Sequence, residues 1–203
     1  MTQRMGLRDR KKLATRRKLG EVAFRLFTER GFDAVGVREI ADAADVSVTT
    51  LFKYFPSKES LVFDEDAEIE AELVQAVRGR PPGVSIPEAL RRYMEQRLTE
   101  GDMTPESMAP MHRLIEESPS VAAYARQMWH RFEGALARAI AAEVGAAPDD
   151  LRCMALAHFA LEMHPFIAPT AEPLAALNAA FALLEHGWDA SVASRDTAPQ
   201  RGA

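Results

Sequence analysis

Apolar residues recur along this chain mainly at steps of three and four, the spacing that places them on one face of an α-helix. The first such segment runs from Thr15, and Gly31 after Arg30 is a typical helix stop. None of the apolar segments shows the strict alternation of a strand, so the pattern predicts an all-α protein of about nine helices. The apolar positions of the first helix are Leu19, Val22, Ala23, Leu26 and Phe27.

Two short helical segments follow the first helix, separated by a tight turn. The second helix is predicted over residues 37–44, and the turn over residues 45–47. Ser47 is a favourable N-cap for a third helix over residues 48–54. A helix, a tight turn and another helix form the motif that places its second helix in the major groove of DNA.

The third helix is predicted to have one buried face and one exposed face. Leu51 and Phe55 are four residues apart, so they share a face and can pack on the second helix. Hydroxyl groups reach phosphates, apolar groups meet the thymine methyl group, and lysine neutralises phosphate charge. The opposite face therefore suits a DNA groove, and it carries Val48, Thr49, Lys53 and Tyr54.

Pro56 ends the third helix, and Ser57 is predicted to cap a fourth helix from Lys58 to about Val77. The N-terminus of that helix, together with Lys58, is predicted to bind a DNA phosphate. The Gly- and Pro-rich stretch 79–87 is the clearest break in the chain, and five further helical segments follow it.

Charge is distributed unevenly along the sequence. Residues 1–63 carry 13 Lys and Arg against 8 Asp and Glu, a net charge of +5, so the remainder carries −10 within a total of −5. All five lysines, at positions 11, 12, 18, 53 and 58, lie in this basic part. A basic N-terminal third beside an acidic remainder indicates a polyanionic partner, such as nucleic acid, at that end.

Composition narrows the class of protein. Hydrophobic residues make up 47% of the chain, which excludes a wholly disordered polypeptide. The single cysteine, Cys153, excludes an intramolecular disulfide and suits a reducing cytosol. No apolar run approaches the ~20 residues that span a bilayer, and no secretory signal follows the basic N-terminus. We therefore expect a soluble cytoplasmic protein without a membrane partner.

The stretch TRRKLGEVAFRLFTERGFDAVGVREIADAADVSVTTLFKYFPSKESLV resembles the N-terminal DNA-binding domain of the TetR family of bacterial transcriptional regulators. The match covers roughly residues 12–63. The resemblance implies a homodimer that binds a pseudo-palindromic, double-stranded DNA operator and usually represses transcription. With the exposed face of the third helix, it predicts as DNA-binding residues Arg38, Ser47, Val48, Thr49, Thr50, Phe52, Lys53, Tyr54 and Lys58.

Three residues depart from the family pattern. Asp45 stands where a turn glycine is usual, and Asp tolerates the left-handed conformation that such a turn needs. Gly36 replaces a Thr or Ser before the second helix, which loses a side-chain cap at a cost of a few tenths of a kcal/mol. Phe52 replaces a frequent Tyr and lacks its hydroxyl group, which gives Tyr54 more weight.

The predicted organisation is a flexible basic arm (1–12), a helix-turn-helix DNA-binding domain (13–60), a ligand-binding and dimerisation domain (61–190) and a flexible tail (191–203). The last two long helices are apolar on more than one face, so a second copy of the chain is expected to cover part of them. Dimerisation through these helices is also what the resemblance implies. The predicted interface residues are Leu151, Met154, Ala155, Leu174, Leu177, Phe181, Leu184 and Trp188.

Methionine and aromatic residues are frequent between positions 94 and 166, and methionine suits adaptable apolar pockets. Family members bind inducers between these helices, so we expect a hydrophobic small-molecule effector, although such residues also fill ordinary cores. The predicted pocket residues are Met108, Met111, Met128, Trp129, Phe132, His158, Phe159 and Met163. His158 is expected to form an ordinary hydrogen bond with Glu162.

The chemistry of the remaining residues favours no enzyme. No two histidines form the i, i+4 pair of a helical metal site, and we find no nucleophile–base set, phosphate loop or glycine fingerprint. Neither a metal nor another cofactor is predicted. The leading hypothesis is a DNA-binding repressor that its effector releases from the operator. The alternative is a helical small-molecule binding protein whose helix-turn-helix does not bind DNA.

Overall fold

The computed structural model of the chain describes residues 6–100, 104–163, 167 and 170–187. Within these ranges it contains nine α-helices, one short 3-10 helix and no strand, which confirms the predicted all-α fold. The helices are α1 (Leu7–Arg30), α2 (Val37–Ala43), α3 (Val48–Tyr54), a 3-10 helix (Glu59–Leu61), α4 (Asp66–Arg78), α5 (Ile86–Thr99), α6 (Pro105–Glu117), α7 (Pro119–Val144), α8 (Leu151–Glu162) and α9 (Pro173–His186).

The chain divides into two compact units. The first consists of residues 1–68 and 109–129, and the second of residues 69–108 and 130–203. This division does not follow the domain boundary predicted at residue 60, because residues 109–129 join the N-terminal part. The predicted tail lies outside the described residues, as do the first five residues of the predicted arm.

The first unit is built on the apolar face of α1. Leu19, Ala23 and Phe27 are completely buried, as their helical spacing predicted. The ring of Phe27 packs at 4.9 Å between centroids against Phe32, just after the C-terminus of α1. At that end Gly31 has a φ of 84°, and its N–H donates to the carbonyl of Phe27, so Gly31 is the helix stop that the sequence predicted.

Two local predictions in this unit were wrong. α1 begins at Leu7 rather than near Thr15, so residues 7–12 are helical and do not belong to a flexible arm. The predicted fourth helix does not begin at Lys58. The backbone N–H groups of Ser57 and Ser60 each donate to the other residue's hydroxyl oxygen. The chain forms a 3-10 helix over Glu59–Leu61 here, and α4 starts only at Asp66.

The second unit packs α5 against α9 and both against α8. Its core is aliphatic and aromatic. Two of its helices begin with a side-chain cap: Ser85 accepts a hydrogen bond from the Glu88 N–H in α5, and Asp150 accepts from the N–H groups of Arg152 and Cys153 in α8. The break predicted over residues 79–87 corresponds to the loop between α4 and α5. Buried core residues include Leu73, Val77, Leu90, Phe132, Leu136, Ile140, Leu161, Leu177 and Phe181.

Asp64 lies so close to α1 that position 20 has room only for glycine. A Cβ added to Gly20 would sit 2.7 Å from Asp64 Cγ and 2.9 Å from its Cβ. Real Cβ atoms essentially never approach heavy atoms that closely. Gly20 is therefore required by packing, although glycine in a helix interior weakens the helix.

Gly20→Ala tests this packing. Alanine favours helix over glycine by about 1 kcal/mol, but the clash with Asp64 should reverse the sign and lower the free energy of unfolding by roughly 1–3 kcal/mol. Gly134→Ala in α7 is the matched control, since the nearest atom to its added Cβ is the mobile end of Arg138, at 3.2 Å. Urea denaturation should show the control variant equal to or more stable than the parent, and an equally stable Gly20→Ala variant would contradict the clash.

Burial also acts on the charge of Asp64. Removal of its carboxyl from water, reinforced by the negative charge of Glu65, raises the pKa of Asp64 to about 6, although Arg16 acts in the opposite direction. A carboxyl whose pKa is higher in the folded protein favours folding only while it is protonated. Its ionisation therefore reduces stability as the pH rises from about 4 to about 6.

Asp64→Asn keeps the shape of the protonated acid and cannot ionise. We expect the variant to match the parent near pH 4 and to become progressively more stable than the parent up to about pH 6, with a constant difference above that. Urea denaturation of both proteins across this pH range provides the measurement. Asp42→Asn, at an exposed position of α2, controls for the substitution itself, and a gain that does not change with pH would contradict the explanation.

Candidate nucleic-acid interface

The turn between α2 and α3 is closed by backbone bonds and a left-handed residue. Asp45 has a φ of 58°, the only positive φ of a non-glycine residue in the described part of the chain. The N–H of Asp45 donates to Asp42 O at 3.0 Å, and that of Val46 to Ala41 O at 2.9 Å. The turn therefore survives replacement of the usual glycine, as the sequence predicted.

The third helix has the predicted limits and the predicted buried face. It runs from Val48 to Tyr54 after the N-cap Ser47, whose Oγ accepts the Thr50 N–H at 3.1 Å. Leu51 and Phe55 are completely buried beneath it. Thr49, Phe52 and Lys53 are exposed, and Val48, Thr50 and Tyr54 are half-buried. The residues predicted to face DNA thus share the outer side of α3.

The remaining predicted contacts differ in how available their polar groups are. Arg38 is exposed on α2. The hydroxyl groups of Ser47 and Thr50 lie 2.8 Å apart and also cap α3, so each already has a role inside the motif. Gly36 precedes α2 without a side-chain cap, as the sequence predicted.

Lys58 has an internal role that the sequence did not predict. Its Nζ donates to the carbonyl of Phe32 at 2.6 Å and lies 4.1 Å from the centre of the Phe32 ring. Burial lowers the pKa of Lys58, an effect that the charges of Asp33 and Glu59 oppose. Because no α-helix starts here, the predicted phosphate site at a helix N-terminus is wrong. A phosphate contact from Lys58 itself would use its other two N–H groups.

A basic hollow of about 390 Å³ lies between the start of α1 and the end of α3. Arg16 is held there by three groups: its guanidinium lies 5.1 Å from the Phe55 ring centre, donates to the carbonyl of Asp64, and is 3.4 Å from Glu68. The sequence missed Lys12 because it assigned residues 1–12 to an arm, and it missed Arg16 because the spacing within one helix does not show which residues of another helix lie beside it. The lining residues are Lys12, Leu13, Arg16, Lys53, Tyr54 and Glu68.

The predicted dimer residues differ in how exposed they are. Leu177 and Phe181 are buried in the core of the chain itself, so they offer no surface to a partner, and for these two the prediction was wrong. Leu151, Met154 and Leu174 are 77%, 47% and 42% exposed, so their side chains are accessible to a partner. Ala155 and Leu184 are half-buried, and Trp188 lies outside the described residues.

The predicted pocket residues do not share one environment. Met128 and Phe132 are buried, whereas Trp129, His158 and Phe159 are exposed, and Met108, Met111 and Met163 are half-buried. His158 bonds through Nδ1 to Glu133 of α7, a partner on another helix that the sequence did not predict. Burial raises the pKa of Cys153, which makes this thiol a poor nucleophile.

The second unit does contain a cleft, but in another place. About 500 Å³ of space lies between α4, the loop after it and α5. Its lining includes none of the eight predicted pocket residues. Arginines and glutamates alternate there with small apolar groups, so the cleft is amphipathic. The lining residues are Glu72, Gln75, Ala76, Gly79, Arg80, Pro81, Val84, Ala89, Arg92, Tyr93, Gln96, Arg97 and Glu100.

Comparison with known proteins gives matches along most of the chain. A family model described as "Bacterial regulatory proteins, tetR family" matches residues 19–64, and one described as "MftR C-terminal domain" matches residues 84–189. The HTH-type transcriptional regulator TcmR of Streptomyces glaucescens is 33% identical over 151 residues, which are 71% of this chain and 67% of TcmR. None of the described helices combines the length and apolar character needed to cross a membrane.

Solved structures share the fold. Salmonella enterica GusR has a TM-score of 0.57 at 20% identity, covering 87% of this chain and 96% of GusR. Thermus thermophilus FadR, a TetR family transcriptional repressor solved in complex with lauroyl-CoA, has a TM-score of 0.50 at 27% identity, covering 85% of this chain and 94% of FadR.

Lys58→Met and Lys53→Met should distinguish the roles of the two lysines near α3 in stability. Lys58→Met removes the bond to Phe32 O and the contact with its ring, so the free energy of unfolding should fall by about 1–2 kcal/mol. Lys53→Met changes an exposed residue and should stay within about 0.5 kcal/mol of the parent. Urea denaturation measures both, and equal stability of the two variants would exclude an internal role for Lys58.

Proposed function

Because this chain belongs to the TetR family of bacterial transcriptional regulators, we propose that it is a homodimeric repressor that leaves its operator when an amphipathic effector binds. The observation that carries the proposal is the outer side of α3. Two completely buried residues, Leu51 and Phe55, fix the helix, and Thr49, Phe52 and Lys53 face solvent. That arrangement suits insertion into the major groove.

We assign the contacts by chemistry. Thr49 and Phe52 are the candidates for base readout, because a methyl group and a ring edge can meet thymine methyl groups. Arg38, Lys53 and Lys12 are the candidates for phosphates. Tyr54, at the edge of the basic hollow, can donate its hydroxyl group to a phosphate as well. Ser47 and Thr50 support this surface mainly by capping α3.

A second copy of the chain is the partner we propose for the exposed apolar residues of α8 and α9, Leu151, Met154, Phe159 and Leu174. Exposed apolar residues that form a contiguous patch mark protein–protein interaction sites. A two-fold dimer would present two copies of α3 to half-sites one helical turn apart, about 34 Å, on a pseudo-palindromic operator.

We place the effector in the cleft between α4 and α5. FadR, which shares the fold, was solved with lauroyl-CoA, a molecule with an apolar chain and anionic phosphates. Arg80, Arg92 and Arg97 could face such phosphates, and the small apolar lining could face part of the chain. This modifies the sequence-based expectation of a largely hydrophobic effector by adding an anionic part.

Release of DNA requires that the effector prefer a conformation that DNA does not select. α4 is the element we propose to carry that preference, because it lines the cleft and directly follows the DNA-binding region in the chain. A protein acting on chromosomal DNA belongs in the cytoplasm, and we assign it no catalytic activity. If the protein binds no operator DNA, the alternative applies, in which the chain is a helical small-molecule binding protein whose helix-turn-helix does not bind DNA.

The DNA contacts can be tested by substitution. Arg38→Ala, Lys53→Ala and Tyr54→Ala should each weaken binding to a promoter fragment selected by footprinting, without changing the oligomeric state. The logarithm of the DNA association constant should fall linearly with the logarithm of the salt concentration. Arg38→Ala and Lys53→Ala each remove a positive charge, so each should reduce the magnitude of that slope by about 1. Fluorescence anisotropy over a salt series provides the data.

Thr49→Ser and Arg138→Ala complete that experiment. Thr49→Ser removes the methyl group assigned to the thymine contact and keeps the hydroxyl group, so it should keep the salt slope and alter the preference between operator sequences. Arg138→Ala, on α7 of the second unit, is the control and should change neither quantity. Binding that is insensitive to salt in the parent protein, or no preference for any fragment over random duplex, would contradict the proposed function.

The effector is tested by titrating lauroyl-CoA into the protein–operator complex, with coenzyme A and laurate as separate arms. We expect lauroyl-CoA alone to release DNA, because both halves of the molecule are needed. Arg92→Ala should raise the concentration needed for release about tenfold without changing operator affinity in its absence. Release that Arg92→Ala leaves unchanged would place the site elsewhere, and no release in any arm would exclude this effector class.

A further inference from the structure

Side chains from α7 and α8 that are far apart in sequence meet in the second unit. Glu133, His158 and Glu162 each offer a ligand atom, and these atoms all lie within 4.8 Å of one another. His158 Nδ1 already contacts Glu133 Oε1. Glu133 Oε2 is in turn 3.5 Å from Nδ1 of His130, one turn earlier on α7. The imidazoles of His130 and His158 and the carboxylate of Glu162 thus lie near the carboxylate of Glu133.

We propose that Glu133, His158 and Glu162 bind a divalent transition-metal ion of the zinc type, with water as the fourth ligand. This site departs from the sequence prediction of no metal, which considered only pairs on a single helix. Here the ligands come from two helices, so no i, i+4 histidine pair is needed.

The geometry and the donor atoms fit such an ion. Zn²⁺ binds His nitrogen and carboxylate oxygen at about 2.0–2.2 Å, so ligand atoms around one ion are about 3.3 Å apart. The ligand atoms of Glu133, His158 and Glu162 would therefore have to approach one another by roughly 1.5 Å at most. His158 and Glu162 are exposed, so rotation of their side chains can supply that movement. Imidazole favours zinc, copper or nickel over magnesium and calcium.

Charge also favours a divalent cation. With neutral imidazoles, the two carboxylates give the cluster a charge of −2, which one divalent ion balances. An ion in this position would connect α7 to α8 across the loop of residues 145–150, and it would stabilise the second unit by an amount that grows with the logarithm of the free ion concentration above Kd.

The test uses the full chain, treated with a chelator, dialysed and titrated with Zn²⁺ by calorimetry. We expect one ion per chain and a higher melting temperature with Zn²⁺ but not with Mg²⁺. His158→Ala and Glu162→Gln should each weaken Zn²⁺ binding about tenfold or more. Both positions are exposed, so the variants should fold, and circular dichroism without metal checks that they do.

Controls separate this site from other zinc ligands. His112→Ala on α6 and His186→Ala on α9 change exposed histidines outside the cluster, and Cys153→Ser removes the single thiol. Zn²⁺ affinity should survive all three. The proposal is overturned if the parent protein takes up no Zn²⁺, or if His158→Ala binds it as tightly as the parent does. It is equally overturned if only Cys153→Ser abolishes binding. A Co²⁺-substituted protein whose visible absorption disappears in Glu133→Gln would support coordination by α7.

Discussion

The burial of Leu51 and Phe55 beneath α3 is the constraint on which the proposed DNA contact depends. A helix of seven residues has little stability alone, because helices this short cannot offset the cost of nucleation. Packing must therefore both stabilise this helix and fix its rotation about its own axis. Two anchors one turn apart fix that rotation, and the Ser47 cap and the left-handed Asp45 fix its start. Only then do the outward side chains acquire a defined direction.

The sequence predicted α2 and α3 well because chemically distinctive residues mark their limits. Asp45 tolerates the turn, Ser47 caps a helix and Pro56 cannot continue one. The start of α1 had no such mark. The Arg, Lys and Leu residues before Thr15 are good helix formers, but the positive charge of this segment suggested a flexible arm. After Pro56 the prediction failed for a different reason: Ser57 and Ser60 bond each other's N–H groups, which replaces an α-helical start with a 3-10 turn.

Periodicity located the apolar faces of the second unit but could not say what covers them. Leu174 and Leu177 were both predicted to lie in the dimer interface, yet Leu174 is 42% exposed and Leu177 only 1%. The difference depends on which helix lies opposite each residue, and this is information that local spacing does not contain. The same limit applies to His158, whose partner Glu133 belongs to another helix. Tertiary neighbours of polar groups are beyond the reach of patterns within one helix.

The close approach of Asp64 to Gly20 also restricts how this sequence can diverge. A methyl group at position 20 and a carboxylate at position 64 would compete for the same volume. A lineage that gains a side chain at one position must therefore shrink or displace the residue at the other. The two sites should covary among descendants, so that correlated evolution would record the docking of α1 against the segment that leads into α4.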